Sequence, residues 1–230
     1  MKGAKIKVSV IMPAYNEGKN LQAAAAGVLK QRVGELVIVD DGSTDSTLEV
    51  AKRLSRGDPR VRIVSYHPNR GKGYAMRSGA RAASNSALVF IDSDSQFDAS
   101  YVGKMAAALD GADMVVGYRD PESIPPSRRL ANAFARVMVF IATGKTVRDV
   151  LSGFRAIRKQ DFDALKPRED RFEIESELSL KALKRRFRIR HVSVPVVYHG
   201  GANKLRARHS IRISIYLIKG VLKCWSGYYA

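Results

Sequence analysis

The chain has 230 residues, 45% hydrophobic and 27% charged, which excludes a disordered or collagen-like chain and gives enough length for one sizeable core. Its single cysteine, Cys224, excludes an intramolecular disulfide framework and suits a reducing compartment. Forty Lys+Arg against 22 Asp+Glu leave +18, and no acid follows Glu177, so residues 178–230 carry 12 of those positive charges. A polyanionic partner is implied: nucleic acid, an anionic membrane surface or phosphorylated substrates, with a thermophile-like charged surface as the plain alternative. The segment before Pro13 is basic, but its apolar run is too short for a signal peptide. No stretch reaches the ~18 apolar residues needed to cross a bilayer, and Val137–Ala142 and Ile213–Ile218 come nearest. The reading is of a chain that is soluble or lies on a membrane without crossing it.

In chain order, Lys7–Pro13 reads as a strand and Glu17–Gln31 as an Ala-rich helix. Leu36–Asp40 is a short apolar strand of the buried parallel kind, followed by a helix over Thr44–Ser55. Val61–Tyr66 and Ala87–Asp92 are strands around a helix at Gly73–Ala83. Ala99–Leu109 is a helix and Asp113–Gly117 a fifth strand. This alternation predicts an α/β fold: a mainly parallel sheet with helices on both faces. The second half is less regular. Glu122–Arg129 reads as a loop, Ser127–Thr143 as a very apolar helix and Gly153–Ile157 as a short strand. Phe172–Arg186 reads as a helix with acids first and bases last, Arg188–Tyr198 as a strand and His209–Lys223 as a helix.

Three polar clusters fall at the carboxyl ends of predicted strands, where open α/β sheets bind ligands: Pro13–Glu17, Asp40–Ser43 and Asp92–Gln96. In an extended segment Asp92, Asp94 and Gln96 point the same way, and their oxygens suit Mg²⁺ or Mn²⁺ when a substrate diphosphate completes the shell. The Asn69-Arg70-Gly71-Lys72-Gly73 loop precedes a helix. Its glycines allow close backbone approach to a ligand, and Lys72 and the helix N-terminus favour anions. It is not a Walker A loop, and no G-x-G-x-x-G follows the first strand, which argues against a dinucleotide-binding domain.

Pro13-Ala14-Tyr15-Asn16-Glu17, Val39–Asp45, Asn69-x-Gly71-Lys72-Gly73, Asp92-x-Asp94-x-Gln96 and Ser152-Gly153-Phe154-Arg155 resemble, in order and spacing, the motifs of glycosyltransferase family 2. Within it the resemblance is to polyprenyl-phosphate (dolichyl-phosphate) mannose and glucose synthases, over about Val8 to Leu205. It implies a GT-A fold, a nucleotide-diphosphate-sugar donor such as GDP-mannose or UDP-glucose, a divalent cation and inversion at the anomeric carbon. It places Pro13, Tyr15, Glu17, Asp40, Asp41, Lys72, Arg77 and Asp92 at the nucleotide sugar. Asp92, Asp94 and Gln96 would hold the metal. Arg119, Arg128 or Arg129 and Lys204 would hold an acceptor phosphate, with Asp92, Asp94 and Arg119 central to catalysis. The relatives often carry Ser-Lys-Leu where this chain has Asn203-Lys204-Leu205.

A lipid phosphate acceptor has a second pKa of about 6 and arrives already anionic, so arginines and positioning suffice. A sugar hydroxyl acceptor needs a base, and Glu169 or Asp170, just ahead of Phe172–Glu175, stand near the point where such a base is carried. At the end of the chain Ile211, Ile215, Ile218 and Leu222 recur at helical spacing among Arg208, Arg212, Lys219 and Lys223, with Trp225 and two tyrosines following. That pattern suits a membrane interface. The expectation is a catalytic domain over 1–205 and a basic amphipathic extension over 206–230. The enzyme would transfer a hexose, mannose favoured, to a polyprenyl or dolichyl phosphate at the cytoplasmic, inner face of a membrane. Either the tail or a membrane-protein partner would bring it there. No nucleic-acid motif appears among the tail bases, so no nucleic-acid partner is expected. A nucleotidyltransferase is the distant alternative, disfavoured because Pro13–Glu17 is unlike its Gly- and Arg-rich loop.

Overall fold

The computed structural model describes residues 7–197 and 207–225, and in the last helix the side chains of 211–222. Seven strands form one sheet in the order β3-β2-β1-β4-β6-β5-β7. The strands are β1 (Val8–Ala14), β2 (Glu35–Asp41), β3 (Val61–Tyr66), β4 (Ala87–Phe90), β5 (Met114–Tyr118), β6 (Arg155–Arg158) and β7 (Ile189–Ser193). All pair in parallel except β6, which runs antiparallel between β4 and β5.

The helices are α1 (Leu21–Leu29), α2 (Thr47–Gly57), α3 (Lys72–Ala82), α4 (Val102–Ala107), α5 (Pro126–Thr143), α6 (Lys159–Leu165), α7 (Ile174–Lys184) and α8 (Ala207–Trp225). Along the central strands alternate residues face opposite cores. Val10, Met12, Leu36, Ile38 and Val89 pack with α1, α2 and α4. Ile11, Val37, Val39, Leu88 and Phe90 pack with α3, α5, α6, α7 and α8. Every residue of β2 is buried, as a central parallel strand covered on both faces requires.

Several expectations change. The segment assigned to a loop at 122–129 holds a short 3-10 turn at Pro121–Ser123, and α5 begins at Pro126, whose fixed φ suits a first turn. Helix α6 was not expected. The strand foreseen at Gly153–Ile157 is β6 at Arg155–Arg158, and it is the one antiparallel strand. The last helix, expected as part of an extension, also packs on the core. Ile213, Leu217 and Val221 are buried and belong to the same core as Val139 and Leu180.

The sheet positions the site through its topology. Chain order runs outward from β1 through β2 to β3, then returns to place β4 on the other side of β1. The crevice at that reversal lies at the carboxyl ends of β1 and β4.

Candidate active site

The loops after β1 and β2 are laced together before any ligand is considered. Asn16 sits at φ 54°. Its N–H donates to Ser43 Oγ (3.1 Å), and its Oδ1 accepts from the Thr44 N–H (2.8 Å). Asp45 accepts from the Gly18 N–H, and Thr47 Oγ1 accepts from the Glu17 N–H. Glu17 is buried and accepts from Asn20 Nδ2 at 2.9 Å, whereas Tyr15 is 45% exposed beside it. The Pro13 carbonyl accepts from Ser93 Oγ, joining β1 to the loop after β4.

Asp40 and Asp41 are both buried, and each already serves its own neighbourhood. Asp40 accepts from the Ser43 N–H and from Ser65 Oγ. Asp41 accepts from the Arg70 and Gly71 N–H groups and from Asn69 Nδ2, all at 2.8 Å. Burial raises the Asp41 carboxyl above the usual range despite those donors.

The glycines of the 69–73 loop have a different use from the expected cradle. At Gly71, with φ 100°, a Cβ would lie 2.5 Å from the Asp170 carbonyl, and at Gly73 it would collide with the Glu169 carbonyl. The Tyr74 N–H donates to the Asp170 carbonyl at 3.0 Å. The close approach is therefore made by segment 169–171, which sits on the start of α3. Arg77, expected at the nucleotide, donates to the Glu169 carbonyl and to the Asp170 carboxylate.

One cavity collects the chemistry. Lys72, Asp92, Asp94, Gln96, Arg119, Arg128 and Glu175 line it, with Phe97, Ala131, Leu151, Gly153, Phe172 and Ile213 as the apolar and small remainder. Residues 93–95 form a turn that breaks the extended segment, with Ser95 at φ 59° and the Gln96 N–H bound to Asp94 Oδ1 at 3.0 Å. That turn, not strand alternation, brings Asp92, Asp94 and Gln96 to one cavity. Burial, and then the charge of Asp92, push the Asp94 carboxyl up to about 6.

Lys72 Nζ lies 2.6 Å from Asp92 Oδ1 and 2.7 Å from Glu175 Oε1. Burial works against its charge, but these two carboxylates outweigh it and hold the ammonium above its ordinary range. Glu175 is fully buried, and burial raises its carboxyl although Lys72 opposes this. Gly153 explains why the 152–155 motif needs a glycine: a Cβ there would strike the Asp92 carboxylate and lie 2.8 Å from Lys72 Nζ.

Arg155 of the same motif is fully buried and touches no substrate space. It donates to the carbonyls of Val150 (2.6 Å) and Ser152 (2.9 Å) and to Ser179 Oγ (3.0 Å). Burial lowers it to about 10. It shapes the loop that carries Asp149 and Gly153. Asp149 in turn takes Arg119 in a two-point pair, Nε to Oδ2 at 2.7 Å and Nη2 to Oδ1 at 2.9 Å. Arg119 thus reaches the cavity with one edge of its guanidinium committed. Arg128 Nη1 donates to Gln96 Oε1 at 3.2 Å, which joins the expected acceptor side to the expected metal side. Arg129 lies on the exposed side of α5 and does not line the cavity. Lys204 lies outside the described residues.

Among the described residues no cluster of three or more His, Cys, Asp or Glu side chains is arranged to hold a metal. The donor set of the Asp92-x-Asp94-x-Gln96 turn is two carboxylates and an amide. That fits a hard cation which takes its remaining ligands from a diphosphate and water. The raised Asp94 carboxyl beside Asp92 is a place where positive charge is wanted.

The sequence profile of glycosyl transferase family 2 matches residues 9–166. The chain belongs to that family. Among its relatives, the dolichol-phosphate mannosyltransferase of Pyrococcus furiosus is 32% identical over 187 residues, covering 76% of this chain and 53% of that protein. The dolichyl-phosphate hexose transferase of Haloferax volcanii is 29% identical, covering 86% of each chain. Among solved structures, glucosyl-3-phosphoglycerate synthase of Mycobacterium tuberculosis, in complex with Mn²⁺, UDP and phosphoglyceric acid, superposes with a TM-score of 0.75. It has 21% identity and covers 94% of this chain and 78% of that one. At that identity the likeness shows the fold: a GT-A-like α/β sheet, as the family 2 motifs imply. As a member of the family this chain is a glycosyltransferase that uses a nucleotide-sugar donor.

Sequence reasoning missed Asp149, Leu151 and Ala131 as site residues, met Ile213 only as the start of an apolar stretch, and noticed Glu175 only as one of several acids near a helix start. Glu169 and Asp170, singled out as base candidates, do not line the cavity.

Proposed function

We propose that the protein moves a hexose, mannose favoured, from GDP-mannose or UDP-glucose to a polyprenyl or dolichyl phosphate at the inner, cytoplasmic face of a membrane. The observation that carries the reading is the composition of the cavity and of the two helices beside it. Arg119 and Arg128 face the same cavity as Asp92 and Asp94, and α5 and α8 supply Ala131 and Ile213 to its wall. Among the described residues ten large apolar side chains are exposed, and eight lie on these two helices: Leu130, Val137, Phe140, Ile141, Ile211, Ile215, Ile218 and Leu222. Neither helix contains an acid. An apolar, basic face beside a cavity lined by two arginines suits an acceptor with an anionic head and a long hydrocarbon tail on an anionic bilayer. No helix among the described residues is long and apolar enough to cross a membrane.

Asp92, Asp94 and Gln96 would hold Mg²⁺ or Mn²⁺, which neutralises the leaving nucleoside diphosphate. Lys72 adds a fixed positive charge beside it. The nucleoside would rest near Pro13, Tyr15, Glu17 and the loops that Asp40 and Asp41 organise. Arg128 and Arg119, the latter already paired with Asp149, orient the acceptor phosphate. Its oxygen is anionic near neutral pH and attacks without a protein base. Residues 1–205 would form the catalytic unit and 206–230 an extension that adds membrane affinity. Arg212, one of that extension's bases, is tied to Glu173 at 3.1 Å, so it anchors α8 to the core as well.

The test is to supply purified protein with GDP-mannose or UDP-glucose, labelled in the sugar, together with Mn²⁺ and polyprenyl phosphate. Label entering the organic phase from one donor, abolished reversibly by EDTA, is expected. Label that stays aqueous with both donors would contradict the reading.

A further inference from the structure

Lys72 is the lysine of the cavity, largely enclosed, and it has two carboxylate partners of different kinds. Asp92, 2.6 Å from its Nζ, belongs to the D-x-D-x-Q turn. Glu175, at 2.7 Å, lies in the first turn of α7 and belongs to no metal-ligand motif. We propose that Glu175 is a positioning residue for the donor: it is the second seat of Lys72, the partner that keeps this ammonium in the cavity when a divalent cation takes Asp92. The inference rests on the donor half of the function proposed above and is independent of the acceptor.

The surroundings crowd Lys72 and restrict where its ammonium can go. Its side chain is 14% exposed, its Nζ lies 5.7 Å from the centre of the Phe172 ring, and Gly153 is close enough that even a methyl group would approach it within 2.8 Å. A cation arriving at Asp92 brings like charge beside an ammonium that cannot swing away. With Asp92 as its only carboxylate, Lys72 would either hold that oxygen against the metal or be left buried and unpaired, which is costly. Glu175 removes the conflict. The lysine shifts its weight onto the second carboxylate and keeps its positive charge beside the position of the diphosphate.

The neighbouring Glu177 shows what a purely structural acid on this helix looks like. It accepts from the Arg168 and Glu169 N–H groups and pairs with Lys181 one turn along, and it does not line the cavity. Among the described residues no backbone N–H donates to the Glu175 carboxylate in this way. Its direct partner is Lys72, with the buried Arg155 charge nearby.

The experiment is a double-mutant cycle read by Mn²⁺ binding, followed by electron paramagnetic resonance with GDP or UDP present and no acceptor. Glu175→Gln is expected to weaken Mn²⁺ binding by about tenfold with Lys72 present, and by less than about threefold in the Lys72→Met background. Glu175→Asp, which keeps the charge but shortens the reach, is expected to weaken binding by the same Lys72-dependent route. It also serves if Glu175→Gln does not fold. Equal losses in both backgrounds would show that Glu175 acts through its own charge or touches the metal itself, and would overturn the proposal, as would variants that bind like the wild type. Wild-type protein that binds no Mn²⁺ with either nucleotide would overturn both this inference and the donor reading beneath it.

Discussion

The two ends of the sheet treat buried acids in opposite ways. At the amino ends of the strands, Glu35 accepts from Ser9 Oγ (2.5 Å), the Ser84 N–H (2.5 Å) and Arg62 Nη1 (3.2 Å). Burial alone would raise its carboxyl, but these donors and the Arg62 charge outweigh it and hold the group below the usual range. At the carboxyl ends burial wins: Asp41, Asp94 and Glu175 are all raised, Asp94 to about 6. One end is a finished hydrogen-bond network that stabilises the fold. The other keeps acids short of balancing charge, and that shortfall is what a metal and a nucleotide diphosphate would relieve.

The largest effect is expected where that contrast is sharpest. Asp94→Ala should lower transfer by about 100- to 1,000-fold, as loss of a central electrostatic group does, while the thermal midpoint holds or rises. Initial rates and a melting curve on the same preparation check both halves. A variant that retains full rate would remove Asp94 from the metal site.

Next in size is the apolar face. Phe140→Glu on α5 should weaken binding to vesicles containing anionic lipid by about 10- to 100-fold, the cost of an aromatic contact with hydrocarbon, without shifting the melting curve. Co-sedimentation measures it. Unchanged sedimentation together with a change from dimer to monomer would mean that this face meets a second copy instead.

At the amino end the expected effect is on stability and not on rate. Glu35→Gln leaves donors poorly matched and should cost about 1 kcal/mol in a urea titration with kcat unaltered. The pH dependence follows from the direction of the shift. A carboxyl lowered by folding contributes stability that is present above its unfolded value, about 4.3, and is lost as pH falls through the lower folded value. Glu35→Gln should therefore flatten the acid limb of the stability profile. A limb of unchanged slope would assign it to other groups.

Much of this contrast was legible in the sequence. The alternation of apolar runs and helices showed the sheet, and acids at strand ends marked its working edge, because strand period and chain direction are local properties. The cavity was only half legible, because its making is not local. The antiparallel β6 inserts between β4 and β5, which no period in Arg155–Arg158 reveals. Asp149 holds Arg119 across 30 residues, and Lys72 meets Glu175 across the sheet's helical face. The glycines of the 69–73 loop were read as room for a ligand to approach the backbone, whereas the group that approaches them is segment 169–171 of the chain itself. On α8 the helical spacing singled out Ile211, Ile215, Ile218 and Leu222, and these are the exposed ones. The buried Ile213, Leu217 and Val221 form the face that joins the core.

The acceptor is the centre of the account, and a comparison of two lipids tests it most directly. Polyprenyl phosphate and the matching polyprenol, presented in the same vesicles at saturating donor and Mn²⁺, should differ by orders of magnitude in labelled product. The phosphate should be used, with its rate falling as pH drops through about 6 where its second ionisation is lost. Equal use of the alcohol would contradict the account. It would leave a hydroxyl-directed glycosyltransferase, which needs a protein base.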